Sequence, residues 1–97
     1  MAKPNYSADF SAELFRVPGP GGWVFVVVPA ELAPTATLAW GRTPVHAIVD
    51  GRPWATSVWR EKSGRVLLAV PKKVRGAKDE GDEVDVRLEY SIEYRDR

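Results

Sequence analysis

Cysteine is absent, and with it disulfides, thiolate nucleophiles and thiolate metal ligands. Histidine occurs once, at His46. Zinc needs three or four ligands at suitable spacing, and His46 has no histidine or cysteine to share one with, so no metal or other cofactor is expected. Long apolar runs are missing too. The longest, Trp23 to Pro29, is far short of the roughly 20 residues that span a bilayer as a helix, so no membrane contact is expected. Nor does either sign of charge dominate. Fourteen Lys and Arg stand against thirteen Asp and Glu, a net charge of +1, which removes any global attraction to nucleic acid or anionic lipid. No apolar run precedes residue 23, so no signal peptide is expected. Together with the missing cysteines this points to a cytoplasmic protein.

What the sequence does contain is strand pattern. Val84, Val86, Leu88, Tyr90, Ile92 and Tyr94 alternate with Asp85, Arg87, Glu89, Ser91, Glu93 and Arg95, a period of two that specifies a half-buried strand. Tyr6, Ala8, Phe10, Ala12 and Leu14 alternate with Ser7, Asp9, Ser11 and Glu13 in the same way. The breaker-rich piece Val17 to Gly22 reads as a hairpin loop. Trp23 to Val28 is apolar on both faces, so it is buried on both sides or packs one face on a partner. Pro29 to Ala33 has room for one helical turn, and Pro34 to Leu38 reads as loop or short helix. Pro44 to Val49 is a further strand. Asp50-Gly51 is a type I′ turn signal, returning the chain as Trp54 to Arg60. Val66 to Val70 follows, and Pro71 ends it. Pro71 to Ala77 can form a short helical segment, before the Gly81-Asp82 turn.

Ninety-seven residues make one domain, spanning 1–97. A chain of this size buries about 60–65% of its unfolded surface. About six strands with one short helical turn predict an all-β fold, a small closed and mostly antiparallel β-barrel. Closure would remove the exposed edges of a flat sheet. Val84, Val86, Leu88, Tyr6, Phe10 and Leu14 are the expected core.

The pieces Phe10-Ser-Ala-Glu-Leu-Phe15, Gly22-Trp-Val-Phe-Val-Val-Val-Pro29, Val45 with Asp50-Gly51, Trp54-Ala-Thr-Ser57, Val70-Pro-Lys-Lys-Val-Arg75 and Gly81-Asp-Glu-Val84 resemble a known family. It is the bacterial β-barrel family called domain of unknown function nineteen-oh-five. The resemblance covers nearly the whole chain and keeps the order of the pieces. It implies a closed, mostly antiparallel barrel with no established biochemical activity. Family members stand alone or precede a YdeI/OmpD-associated segment linked by name to bacteriocin protection, and these 97 residues contain no counterpart of that segment. One departure is local. Gly76-Ala-Lys-Asp-Glu80 fills the space where the family carries a Leu-Gly pair, which implies a more exposed and more mobile turn.

Candidate chemistry is sparse. An acidic turn, Asp79-Glu-Gly-Asp-Glu83, offers oxygen ligands but lacks the EF-hand spacing, and reads as solvated. Ser57 and His46 are a nucleophile and base on paper. A two-residue turn would pair His46 with Ala55 and put Ser57 on the same face, roughly 7–8 Å away. No carboxylate is obviously placed to orient the imidazole, so no catalytic residue is assigned and the protein is expected not to be an enzyme.

Charge is segregated. Residues 60–78 hold seven basic side chains and one acid, Glu61. Residues 79–93 hold seven acids and one base, Arg87. A basic patch of Arg60, Lys72, Lys73 and Arg75 could hold phosphates, but opposite strands pairing and cancelling is the simpler reading. Val66 to Val86 is also similar to the swapped-hairpin DNA-binding proteins of the AbrB and MazE kind. Those proteins are shorter and lack the strands at 6–60, so nucleic acid stays the alternative. Four tryptophans remain, and Trp54 and Trp59 have opposite strand parity, so one of them faces outward. Trp59 is the expected exposed one, because Trp54, Thr56 and Val58 make the more apolar face. The leading reading is a ligand- or protein-binding module, with Trp40, Arg42, Thr56, Ser57 and Trp59 as the candidate site. Its ligand, pathway and oligomeric state are not written in the sequence.

Overall fold

The computed structural model describes residues 6–19, 21–34 and 41–90. They form seven strands: β1 (Tyr6–Glu13), β2 (Phe15–Arg16), β3 (Val24–Val28), β4 (Arg42–Val49), β5 (Arg52–Arg60), β6 (Val66–Ala69) and β7 (Glu83–Tyr90). The 3₁₀ turn Ala30–Leu32 follows β3, and the helical turn α1 (Lys72–Arg75) follows β6. The sheet order is β1-β7-β4-β5-β6-β3-β2, and every pairing is antiparallel.

Closure is where the expectation fails. The sheet is a half-barrel, open rather than closed, with β1 and β2 as its two ends. The two end strands are consecutive in the chain and meet at Leu14, which belongs to neither ladder. Its N–H donates to the Asp82 carbonyl at 2.8 Å, and its own carbonyl accepts the Gly81 N–H at 2.9 Å. Both backbone groups of this fully buried residue are thus satisfied by the turn before β7, which leaves neither for a strand that would close the barrel.

Alternation sets what lies inside. Val45, Ala47 and Val49 of β4, Val58 of β5, Leu68 of β6, Val24, Val26 and Val28 of β3, and Val84, Val86 and Leu88 of β7 form one core. Trp54 and Phe10 pack against it in part. Tyr6 departs from expectation: it keeps 37% of its surface exposed, with its ring 5.0 Å from that of Tyr90. It sits on β1, an end strand of the sheet. Ile92 and Tyr94 lie outside the described residues.

The β4–β5 hairpin forms in the expected register, with His46 opposite Ala55 and Arg42 opposite Trp59. Asp50 and Gly51 take φ values of 49° and 84°, the positive pair that a type I′ turn requires. Asp50 also ties this tip to its surroundings. Its Oδ1 accepts the Asp85 N–H at 2.9 Å, and its Oδ2 lies 2.9 Å from Lys78 Nζ. The turn 76–82 is mostly exposed and is held at several points. Lys78 Nζ donates to the Glu83 carbonyl at 2.7 Å, Asp82 Oδ2 accepts the Asp79 N–H at 2.8 Å, and Asp79 pairs with Arg16.

A candidate ligand-binding cleft

The face of the sheet turned away from the core is polar on one half and apolar on the other. Across β1, β7 and β4 it carries Asp9, Arg87, Glu89 and His46. Arg87 reaches Asp9 at 2.9 Å and Glu89 at 3.2 Å, and Ser11 donates to Asp85 at 2.8 Å. The Arg87 hydrogen bond, followed by the His46 contact, holds the Glu89 carboxyl below its usual range. A shallow pocket of about 360 Å³ lies here, between Asp9, Ser11, Ile48 and Arg87. Its charged walls are already paired with one another.

Across β5, β6 and β3 the outer face is different, and register explains its shape. Leu67 lies opposite both Trp59 and Val27. One step further, Ala69 lies opposite Phe25, and continuing the β5–β6 register sets Ala69 beside Ser57. Small side chains, Ala55, Ser57 and Ala69, therefore occupy the middle of this face, while bulky ones stand on either side. The result is a cleft of about 720 Å³, with Trp23 and Phe25 on one wall and Trp59, Leu67 and Arg42 on the other. Trp23 and Trp59 are 61% and 53% exposed. Trp23 packs edge-on to Phe25 at 6.4 Å, and Phe25 in turn lies 6.0 Å from Phe15. The run Trp23 to Val28 is thus apolar on both faces because one face fills the core and the other builds this wall.

Four of the five candidate ligand-binding residues, Arg42, Thr56, Ser57 and Trp59, border this cleft. The fifth, Trp40, lies outside the described residues. Thr56 and Ser57 have opposite parity, so Thr56, paired with buried Val45, belongs to the inner face while Ser57 belongs to the outer. Trp59 is the exposed tryptophan of β5, and Trp54 packs on the core. Sequence reasoning did not single out Trp23, Phe25, Ala55, Leu67 or Ala69. A strand without alternation gives no sign of which residues face outward, and the small floor emerges only once β6 is paired.

Of the other candidate constellations, Ser57 and His46 keep the expected diagonal register, whereas the basic residues are dispersed. His46 Nδ1 lies 3.3 Å from Glu89 Oε1, toward β7, while Ser57 lies opposite Pro44 on the β5 side. Arg60 sits at one end of β5, with guanidinium bonds to the carbonyls of Gly64 and Pro34. The α1 residues Lys72, Lys73 and Arg75 sit at the other end, where Arg52 Nη1 donates to the Val74 carbonyl at 2.9 Å. Nine residues of strand, about 26 Å, separate the two ends. Arg75 is itself committed to the Val70 carbonyl at 2.8 Å. The basic and acidic segments do not cancel as neighbours, because β5 and β4 stand between β6 and β7. Acids of that segment find partners elsewhere, Asp79 on Arg16 and Glu89 on Arg87. Among the described residues no group of three or more His, Cys, Asp or Glu side chains could hold a metal ion, and no helix is long and apolar enough to cross a membrane.

An antiparallel half-barrel with an aromatic-walled hollow on its outer face defines this as a small all-β domain with a concave apolar site. The chain belongs to the family described as Domain of unknown function (DUF1905), which matches residues 10–88. That match contains every described residue of the cleft. None of the curated proteins matches the chain.

Proposed function

We propose that this protein is a non-enzymatic small-molecule binding module and that the outer cleft of β3, β6 and β5 is its site. One observation carries the reading: two tryptophans stand exposed on facing walls of a single apolar hollow. Both indoles are left in water in a chain that has little core to spare. An exposed apolar patch of this kind marks a contact surface. Its concave form and its volume suit a small molecule, since such sites run to about 300–1,000 Å³ and are lined chiefly by apolar and aromatic groups with a few polar ones. Arg42, Ser57 and Thr56 are polar groups of its lining.

The test is a melting-temperature screen of a chemically varied small-molecule library, because any ligand that prefers the native state raises apparent stability. Hits are expected to raise the melting temperature of the wild type and not that of Trp59→Ala, whose fold is checked by circular dichroism. Hits that stabilise both proteins equally would move the site elsewhere.

A further inference from the structure

Resting on that binding reading, the geometry points to a planar aromatic carboxylate as the ligand class, its ring lying over the Ala55–Ser57–Ala69 floor between Trp23 and Trp59 and its carboxylate on the Arg42 guanidinium. The floor of small side chains is flat and the walls are indoles, which favours a flat ring over a branched aliphatic body. Among the described residues Arg42 is the only charged one that borders the cleft. Among the described residues no carboxylate pairs with it, whereas Arg16, Arg65 and Arg87 each have one. Covering the cleft with an uncharged ligand would draw water away from that guanidinium and return nothing for it, which is unfavourable. A ligand that brings its own anion removes this cost. The planar fork of arginine accepts a carboxylate through two parallel hydrogen bonds. Phosphate is the poorer match, because phosphate cradles gather several backbone N–H groups or cations and this cleft offers one guanidinium and the Ser57 hydroxyl. Arg42 lies opposite Trp59, so it is one diagonal step from Ser57, within reach of a substituent on a ring held at the floor.

The experiment titrates the whole chain with 2-naphthoate, with its neutral isostere 2-naphthamide and with adenosine monophosphate, by calorimetry and by backbone amide shifts in NMR spectra. The expected result is that naphthoate binds about tenfold or more tighter than naphthamide, with shifts at Ala55, Ser57 and Ala69. Arg42→Gln should erase that preference and Arg42→Lys should keep part of it, both retaining the wild-type melting temperature. Equal binding of acid and amide at the cleft would overturn the carboxylate assignment and leave the binding module standing. Tighter binding of the nucleotide would overturn it as well. Failure of every probe to shift any cleft residue would overturn both.

Discussion

Asp50 and Asp85 are joined twice across the sheet: the Asp50 N–H donates to the Asp85 carbonyl at 2.9 Å, and the Asp85 N–H donates to the Asp50 carboxylate at 2.9 Å. The tip of the β4–β5 hairpin is thereby fastened to β7, and Lys78 fastens it to the turn 76–82. The Asp85 N–H, and after it Lys78, hold the Asp50 carboxyl below its ordinary value of 3.8. A carboxyl depressed in the folded state contributes stability that is present above its unfolded value and is lost as pH falls through the folded one. Thermal melts should therefore show wild type losing stability relative to Asp50→Asn as pH drops below about 4. At pH 7 Asp50→Asn should cost about 1–2 kcal/mol. Equal pH profiles for the two proteins would refute the role given to the carboxylate.

The two faces of the sheet make opposite predictions for truncation. Leu88 is wholly buried between β1 and β4, and Leu88→Ala should cost about 2–4 kcal/mol. In a domain of this size each kilocalorie lowers the melting temperature by about 4–8 °C. Trp59→Ala removes a larger side chain from the outer wall and should change the midpoint of urea unfolding far less. A comparable loss from both would mean that the outer face is part of the core.

Acrylamide quenching distinguishes the tryptophans. A variant retaining only Trp59 or only Trp23 should be quenched faster than one retaining only Trp54, which packs on the core. Equal rates would contradict the face assignment of β5.

The dispersed basic residues predict weak nucleic-acid binding. Duplex DNA should bind no tighter than about micromolar at physiological salt. A nanomolar, salt-sensitive gel shift lost in the Lys72→Ala, Arg75→Ala double variant would restore the reading in which α1 contacts phosphate.

Hydrolysis of a nitrophenyl ester offers a check on the hydroxyl of Ser57. His46 is engaged with Glu89 on the β7 side, so Ser57→Ala should leave any background rate unchanged. A rate that falls with Ser57→Ala and with His46→Ala alike would revive a nucleophilic pair.

Much of the fold was legible because much of it is local. The alternation in residues 6–14 and 84–90 and the Asp50-Gly51 turn fix faces and register without any distant partner. The open sheet and the cleft were not, for the opposite reason. Whether β1 forms a ladder with β3 depends on Leu14, whose backbone is taken by residues 81 and 82, and no pattern in 6–16 reports that. Arg42, Ser57 and Trp59 could be nominated from one hairpin alone. Trp23 and Ala69 join them only through the β3–β6 and β5–β6 pairings, which link segments distant in the chain.

Tyr6 pairs with Tyr90, so β1 has no ladder during synthesis until β7 has been made. At about 5–20 residues per second, that is a wait of roughly 4 to 17 seconds. During it β2 and β3 already have each other as hairpin neighbours, while β1, attached to them through Leu14, offers an alternating strand to any chain nearby. The joint at Leu14 thus separates β2, whose partner β3 follows at once, from β1, which among the described strands waits longest for its partner.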